Sequence, residues 1–126
     1  MRKISTAATT ISDRAFKRSG LYEYCFSNVK SIGNYAFELA INLEHVHIPS
    51  TTTYIGRGCF HRCYNLKSAI IDANIYTIPE YLFKQAINLK DIVFKNQSIK
   101  VAEDEVFEGC FSLSTIVFAN IDFEIT

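Results

Sequence analysis

The sequence predicts an α/β repeat solenoid of about five units, built as one domain over residues 1–126. Three observations carry that prediction. First, the segments IGNYAFELAINLEHVHI (32–48), IGRGCFHRCYNLKSAII (55–71), IPEYLFKQAINLKDIVF (78–94) and AEDEVFEGCFSLSTIVF (102–118) stack on one another. Phe37, Phe60, Phe83 and Phe107 then share a column, 23, 23 and 24 residues apart. Second, Leu43, Leu66, Leu89 and Leu113 form another column six residues further on. Third, the pairs Val46/Ile48, Ala69/Ile71, Ile92/Phe94 and Ile116/Phe118 alternate with the period of a strand. A self-similar period in the low twenties with apolar residues at fixed offsets marks stacked units, none of which can bury its own apolar columns alone.

Taken in chain order, a shorter copy comes first, with Ile11, Phe16, Leu21, Tyr24 and Phe26 in the same columns and Phe16 lying 21 residues before Phe37. The units fall near 11–31, 32–54, 55–77, 78–101 and 102–124. Within each unit, an Ile-Gly or Ile-Pro step at Ile32-Gly33, Ile55-Gly56 and Ile78-Pro79 suits a tight turn. The next segment, x-x-x-[AL]-F-x-x-[CA], spaces apolar residues three or four apart, which predicts one helical or 3₁₀ turn with its Phe inward. Asn42, Asn65, Asn88 and Ser112 follow in a column where a side chain can satisfy a neighbouring loop's backbone. L-x-x-[VAI]-x-[IF] then supplies a short strand with one buried face, and about six polar or mixed residues close the unit.

The stretch CFHRCYNL (59–66) has two cysteines four apart with His61 between them, which looks like half a metal site. Its columns argue otherwise. Cys63 aligns with Ala40, Ala86 and Cys110, and Cys59 with Ala36, Leu82 and Val106, so a buried thiol stands in for small apolar residues. His61 aligns with Glu38, Lys84 and Glu108 and is expected to point outward, and structural zinc needs four convergent ligands. The four cysteines are expected to be free, because Cys63 and Cys110 lie two units apart, beyond disulfide reach.

Composition narrows the function classes. Thirteen basic residues balance thirteen acidic ones, which gives no electrostatic footprint for nucleic acid. No run of about eighteen apolar residues is present, so no membrane span is expected. The start, MRKISTAATTIS, lacks an apolar signal core, which favours a cytoplasmic location over the cell surface. No Gly-rich phosphate loop or oriented nucleophile accompanies the only chemistry-bearing group, His45, His47 and Asp91, so no enzyme activity, cofactor or metal is expected.

The repeat I-[GP]-x-x-x-F-x-x-[CA]-x-[NS]-L-x-x-[VAI]-x-[IF] resembles the BspA-like leucine-rich repeat family. Ile32-Gly33, Ala36-Phe37, Ala40, Asn42-Leu43, Val46 and Ile48-Pro49, with their counterparts in later copies, carry the resemblance. It implies a short, curved, right-handed stack with a parallel sheet on its concave side, and binding to proteins or cell surfaces rather than catalysis. Members occur on bacterial surfaces and in large sets in anaerobic protists.

In such a stack the residues between the inward strand positions face the concave side. The expected binding surface is therefore His45, Ser68, Asp91 and Thr115 in one column; His47, Ile70, Val93 and Val117 in the next; and Asp72 and Lys95 in a third. Ile70, Val93 and Val117 would form an exposed β-branched stripe, which suits a protein partner. The column Ile41, Tyr64, Ile87 and Phe111 is a second candidate surface, with packing under loops the favoured expectation. Apolar residues at Ile121, Phe123 and Ile125 would leave the last unit adhesive, so end-to-end self-association within a larger assembly is the alternative reading.

Overall fold

The computed structural model describes residues 3–4, 8–120 and 124–125. Its strands are β1 (Lys3–Ile4), β2 (Thr10–Ile11), β3 (Glu23–Tyr24), β4 (Ser31–Ile32), β5 (His45–Ile48) and β6 (Tyr54–Ile55). They continue as β7 (Ser68–Ile71), β8 (Thr77–Ile78), β9 (Asp91–Phe94), β10 (Val101–Ala102), β11 (Thr115–Phe118) and β12 (Glu124–Ile125). Every pairing is parallel and joins one coil to the next. The main sheet runs β5-β7-β9-β11, with β1-β3 as a separate pair, and β2-β4-β6 and β8-β10-β12 form two shorter sheets.

The main-sheet register reproduces the columns of the sequence: Val46, Ala69, Ile92 and Ile116 are partners, and so are Ile48, Ile71, Phe94 and Phe118. Alternation does the work here. In β5 and β7 the second and fourth residues are buried and the first and third lie on the solvent side, because successive side chains point to opposite faces. The Phe column is a stacked file inside the coils, with ring centroids of Phe16–Phe37, Phe37–Phe60 and Phe60–Phe83 at 5.2, 5.6 and 5.8 Å. Phe37, Phe60 and Phe83 are fully buried, and each is worth about 1.5–3 kcal/mol of burial.

Two expectations need correction. The α/β label does not hold, since the described residues contain no helix, and hence none long and apolar enough to cross a membrane. The fold is a β-solenoid of about five turns. The segment expected to be helical instead uses its amides alternately. In one coil the amides of Tyr35, Phe37 and Leu39 donate to Arg57, Cys59 and His61 of the next coil at 2.9, 2.9 and 3.0 Å. The amides of Glu38 and Ala40, between and after them, close local turns onto Tyr35 and Phe37. A helix would keep all of these donors to itself. The alternation is achieved by left-handed residues four apart, Tyr35 (φ 55) and Leu39 (φ 59), then Gly58 (φ 58) and Arg62 (φ 59), then Tyr81 (φ 63) and Gln85 (φ 59).

Nor is the Ile-Gly step only a turn. Ile11, Ile32 and Ile55 end strands of a small sheet, and the amides of Gly33 and Gly56 extend it by donating to Ile11 and Ile32 of the preceding coils. A Cβ at Gly33 would strike the backbone of Ser12 and Asp13, and one at Gly56 the backbone of Gly33 and Asn34. These glycines are required by close coil approach.

Both prolines of the chain interrupt this stapling. Gly33, Gly56 and Glu103 donate to the preceding coil, but Pro79 in the same column has no N–H, and β6 and β8 belong to different sheets. In the main sheet Asp72, Lys95 and Ala119 donate to Ile48, Ile71 and Phe94, whereas Pro49 cannot donate to Phe26. There β3 and β5 part. Ile121 and Phe123 lie outside the described residues, and Ile125 is described only as part of β12.

Candidate functional site

The expected face residues come together on the solvent side of the main sheet. His45, Ser68, Asp91 and Thr115 are register partners in neighbouring strands, as are His47, Ile70, Val93 and Val117. His45 and Ser68 are joined across β5 and β7, Nδ1 to Oγ, at 2.6 Å. Ile70 and Val117 are 37% and 46% exposed, and Val93 between them is half-buried. Asp72 is half-buried at the end of β7, where its carbonyl accepts from Asn96 Nδ2 at 2.9 Å, and Lys95 is exposed beyond β9.

The break between β3 and β5 gives the face its relief. Between β3 and β5 lies an open depression of about 400 Å³ lined by Tyr22, Glu23, Glu44, His45, His47, Ser68 and Ile70 among others. A smaller one of about 280 Å³ adjoins it, bordered by Cys25, His47 and Pro49. Only His45, His47, Ser68 and Ile70 of the predicted surface line the larger depression; Asp72, Asp91, Val93, Lys95, Thr115 and Val117 lie away from it. Glu23 heads the His45 column in the sequence pattern, whereas Tyr22 and Glu44 were not among the residues that pattern selected. Pro49, standing in a column of N–H donors, borders only the smaller depression.

Cys59, Phe60, Cys63 and Leu66 of the CFHRCYNL stretch are core, as their columns imply. Cys59 and Cys63 are buried, all four cysteines are free, and the Cys63 Sγ donates to the Phe37 carbonyl at 3.1 Å. Burial pushes the Cys63 thiol up to about 12 and the Cys110 thiol up to about 11, which keeps both protonated and poorly nucleophilic. Among the described residues no three His, Cys, Asp or Glu side chains converge as metal ligands.

His61 departs from expectation. It is largely buried rather than outward, with Nδ1 2.7 Å from Glu38 Oε2, and Lys17 Nζ lies 3.3 Å from the other Glu38 oxygen. Burial acts to raise the Glu38 carboxyl, but the hydrogen bonds from His61 and Lys17 outweigh it and hold the group below its ordinary value. The shared column of Lys17, Glu38 and His61 is thus a half-buried polar ladder across three coils, centred on the Glu38 carboxylate.

The Asn column works in part: Asn88 Nδ2 donates to the Tyr64 carbonyl at 2.8 Å, and Asn42 reaches the Gly20 carbonyl at 3.5 Å. A row the sequence hid in its polar loops does more. Val29, Thr52, Ile75 and Ile99 are buried in successive coils, and Thr52 Oγ1 donates to the Val29 carbonyl at 2.6 Å. The column Ile41, Tyr64, Ile87 and Phe111 was expected under loops and is exposed instead.

Comparison with known proteins agrees with this architecture. The model of the BspA type leucine rich repeat region matches six copies over residues 9–125. No curated protein matches. A leucine-rich repeat protein from Eubacterium ventriosum is similar at 28% identity and a TM-score of 0.86, over 91% of this chain and 32% of its own. One from Bacteroides ovatus shares the fold at 23% identity and a TM-score of 0.75, over 98% and 38%. A leucine rich cell surface protein from Faecalibacterium prausnitzii shares it at 19% identity and a TM-score of 0.51, over 94% and 31%. The chain spans about a third of the length of these proteins.

Proposed function

The chain belongs to the BspA-type leucine-rich repeat family, and on that premise we propose that it is a non-catalytic protein-interaction module whose four-stranded sheet face receives a protein partner. The family has a general interaction role. The observation that carries the reading for this chain is the β-branched stripe: Ile70 and Val117 stand open to solvent with Val93 between them, bordered by His45, His47, Asp91 and Thr115. An apolar strip in a polar rim is the composition of an interface centre, and residues on strands of a stapled sheet are held rigidly enough to present it. The right-handed curvature implied by the family would make this the concave side.

The test is affinity capture with the intact chain and with Ile70→Ser/Val93→Ser/Val117→Ser, followed by titration of the captured protein. Loss of about 2 kcal/mol or more, with melting unchanged, places the stripe at the centre of the contact. A loss of a few tenths makes these residues bystanders and removes the proposal.

A further inference from the structure

Charge is unevenly placed along this neutral chain. Residues 1–63 carry eight basic and four acidic side chains, and residues 64–126 carry five and nine, so the halves are +4 and −4. Each strand pairing joins one coil to the next, so the halves of the sequence are the halves of the stack. The contrast is sharpest in the turn segments that follow the small-sheet strands. The first holds Arg14, Lys17 and Arg18 against Asp13, and the last holds Glu103, Asp104, Glu105 and Glu108 with no basic residue. Four coil steps of about 4.8 Å put roughly 19 Å between them. That is about twice the screening length in physiological salt, so neither pole offsets the other within one molecule. Local pairing leaves a surplus at both. Arg14 lies over the Tyr35 ring at 5.3 Å and, among the described residues, has no carboxylate partner. Glu105 and Glu108 share the one amine of Lys84, at 2.7 and 3.6 Å.

We infer that this turn surface docks a second copy of the chain, laid antiparallel about a two-fold axis at the level of Gly58. The order of one column carries the inference. Arg14, Tyr35, Gly58, Tyr81 and Glu105 all have left-handed backbones, and each of the first four amides donates to the residue before the next member, so the five are in register. Arg14 and Glu105 are exposed at the ends, Tyr35 and Tyr81 are half-buried, and the centre is a glycine. Reversing the stack exchanges the first coil with the fifth and the second with the fourth. Arg14 then meets Glu105 of the second copy, Tyr35 meets Tyr81, and Gly58 meets itself. The neighbouring column, from Lys17 to Glu108, also changes sign from end to end, and its middle members Glu38 and His61 are covered within their own stack. A two-fold contact needs a surface complementary to itself on reversal, and a parallel arrangement would set like poles together. The flanking columns headed by Asp13 and Arg18 lack this reversal of sign. Contact is therefore confined to the two central columns and is small and salt-sensitive.

Sedimentation velocity of the full chain across concentration should show a monomer–dimer equilibrium in low salt that weakens about tenfold or more in high salt. Arg14→Glu alone and Glu105→Arg alone each set like charges together at both ends of the contact, and each should weaken it about tenfold or more. An equimolar mixture of the two variants pairs opposite charges again and should recover the complex. Thermal melting of each variant keeps a lost contact apart from a lost fold. Amide resonances of Tyr35, Gly58 and Tyr81 should shift with concentration, while those of Ile70 and Val93 stay in place. Ile70→Ser/Val93→Ser/Val117→Ser should dimerise like the wild type, which separates this outcome from that of the sheet-face reading. A chain that stays monomeric in low salt, or dimers indifferent to salt and to the charge swaps, would overturn the inference. So would folded variants that fail to recover on mixing, or growth beyond two copies with shifts confined to the end coils.

Discussion

At the scale of single residues, the account rests on side chains that repeat from coil to coil. Phe60 and Phe83 are buried between ring neighbours, so Phe60→Ala and Phe83→Ala are each expected to cost about 3–5 kcal/mol in chemical denaturation. Near-wild-type stability for both would remove the ring file from the core. Glu38 makes the sharper electrostatic prediction. Its carboxyl is held below its ordinary value by His61 and Lys17 against the burial that opposes them, so on acidification the unfolded chain takes up the proton first. The contribution of this group to stability is present above the ordinary carboxylate range and is lost as pH falls through the lowered value. Denaturation as a function of pH should show this fall in the wild type and a flatter profile in Glu38→Gln. For the thiols the sign is reversed: Cys63, raised to about 12 by burial, is ionised first in the unfolded chain. Stability should therefore decline as pH rises above the ordinary thiol range, and thiol-specific reagents should leave Cys59 and Cys63 unmodified until the chain unfolds.

At the scale of elements, the glycines and prolines decide where coils are stapled. Gly56→Ala places a Cβ against the backbone of the preceding coil, which cannot yield as a side chain can, and should destabilise by about 1–3 kcal/mol. Gly58→Ala meets the Tyr35 ring and also places an alanine at φ 58, so combining it with Tyr35→Ala should remove the clash but keep a backbone cost of about 1 kcal/mol, and calorimetry of the single and double variants separates the two contributions. Pro79→Ala restores the donor its column otherwise has. Hydrogen exchange should then find the amide at 79 protected, bonded to the Ile55 carbonyl; rapid exchange there would mean that the missing N–H is not what parts β6 from β8.

The strand elements were legible in the sequence because burial imposes period-two alternation, and the observed register follows it residue for residue. The helical turn was misread for a physical reason. Phe37 and Ala40 have the spacing of a helical face, and Tyr35, Leu39, Arg62 and Gln85 give no sign that their backbones are left-handed. Only Gly58 and Gly109 hint at it. His61 was misread because alignment with charged residues suggested solvent, whereas pairing with Glu38 lets it be covered.

At the scale of the whole molecule, each coil is stabilised chiefly by its neighbours, so stability is distributed along the stack rather than concentrated in one centre. The inner strands β7 and β9, bonded on both sides, should exchange their amides most slowly. The expected face residues were placed correctly in columns because the register is strict. The depression beside β5 was not foreseen, since it lies where β3 and β5 are unpaired, which the apolar columns do not reveal. The central claim is that the open side of the main sheet is where a protein partner sits. Hydrogen exchange of the chain, alone and in complex with its captured partner, tests this most directly. The account predicts slowed exchange across β5, β7, β9 and β11 on binding; a footprint that leaves these strands unchanged would contradict it.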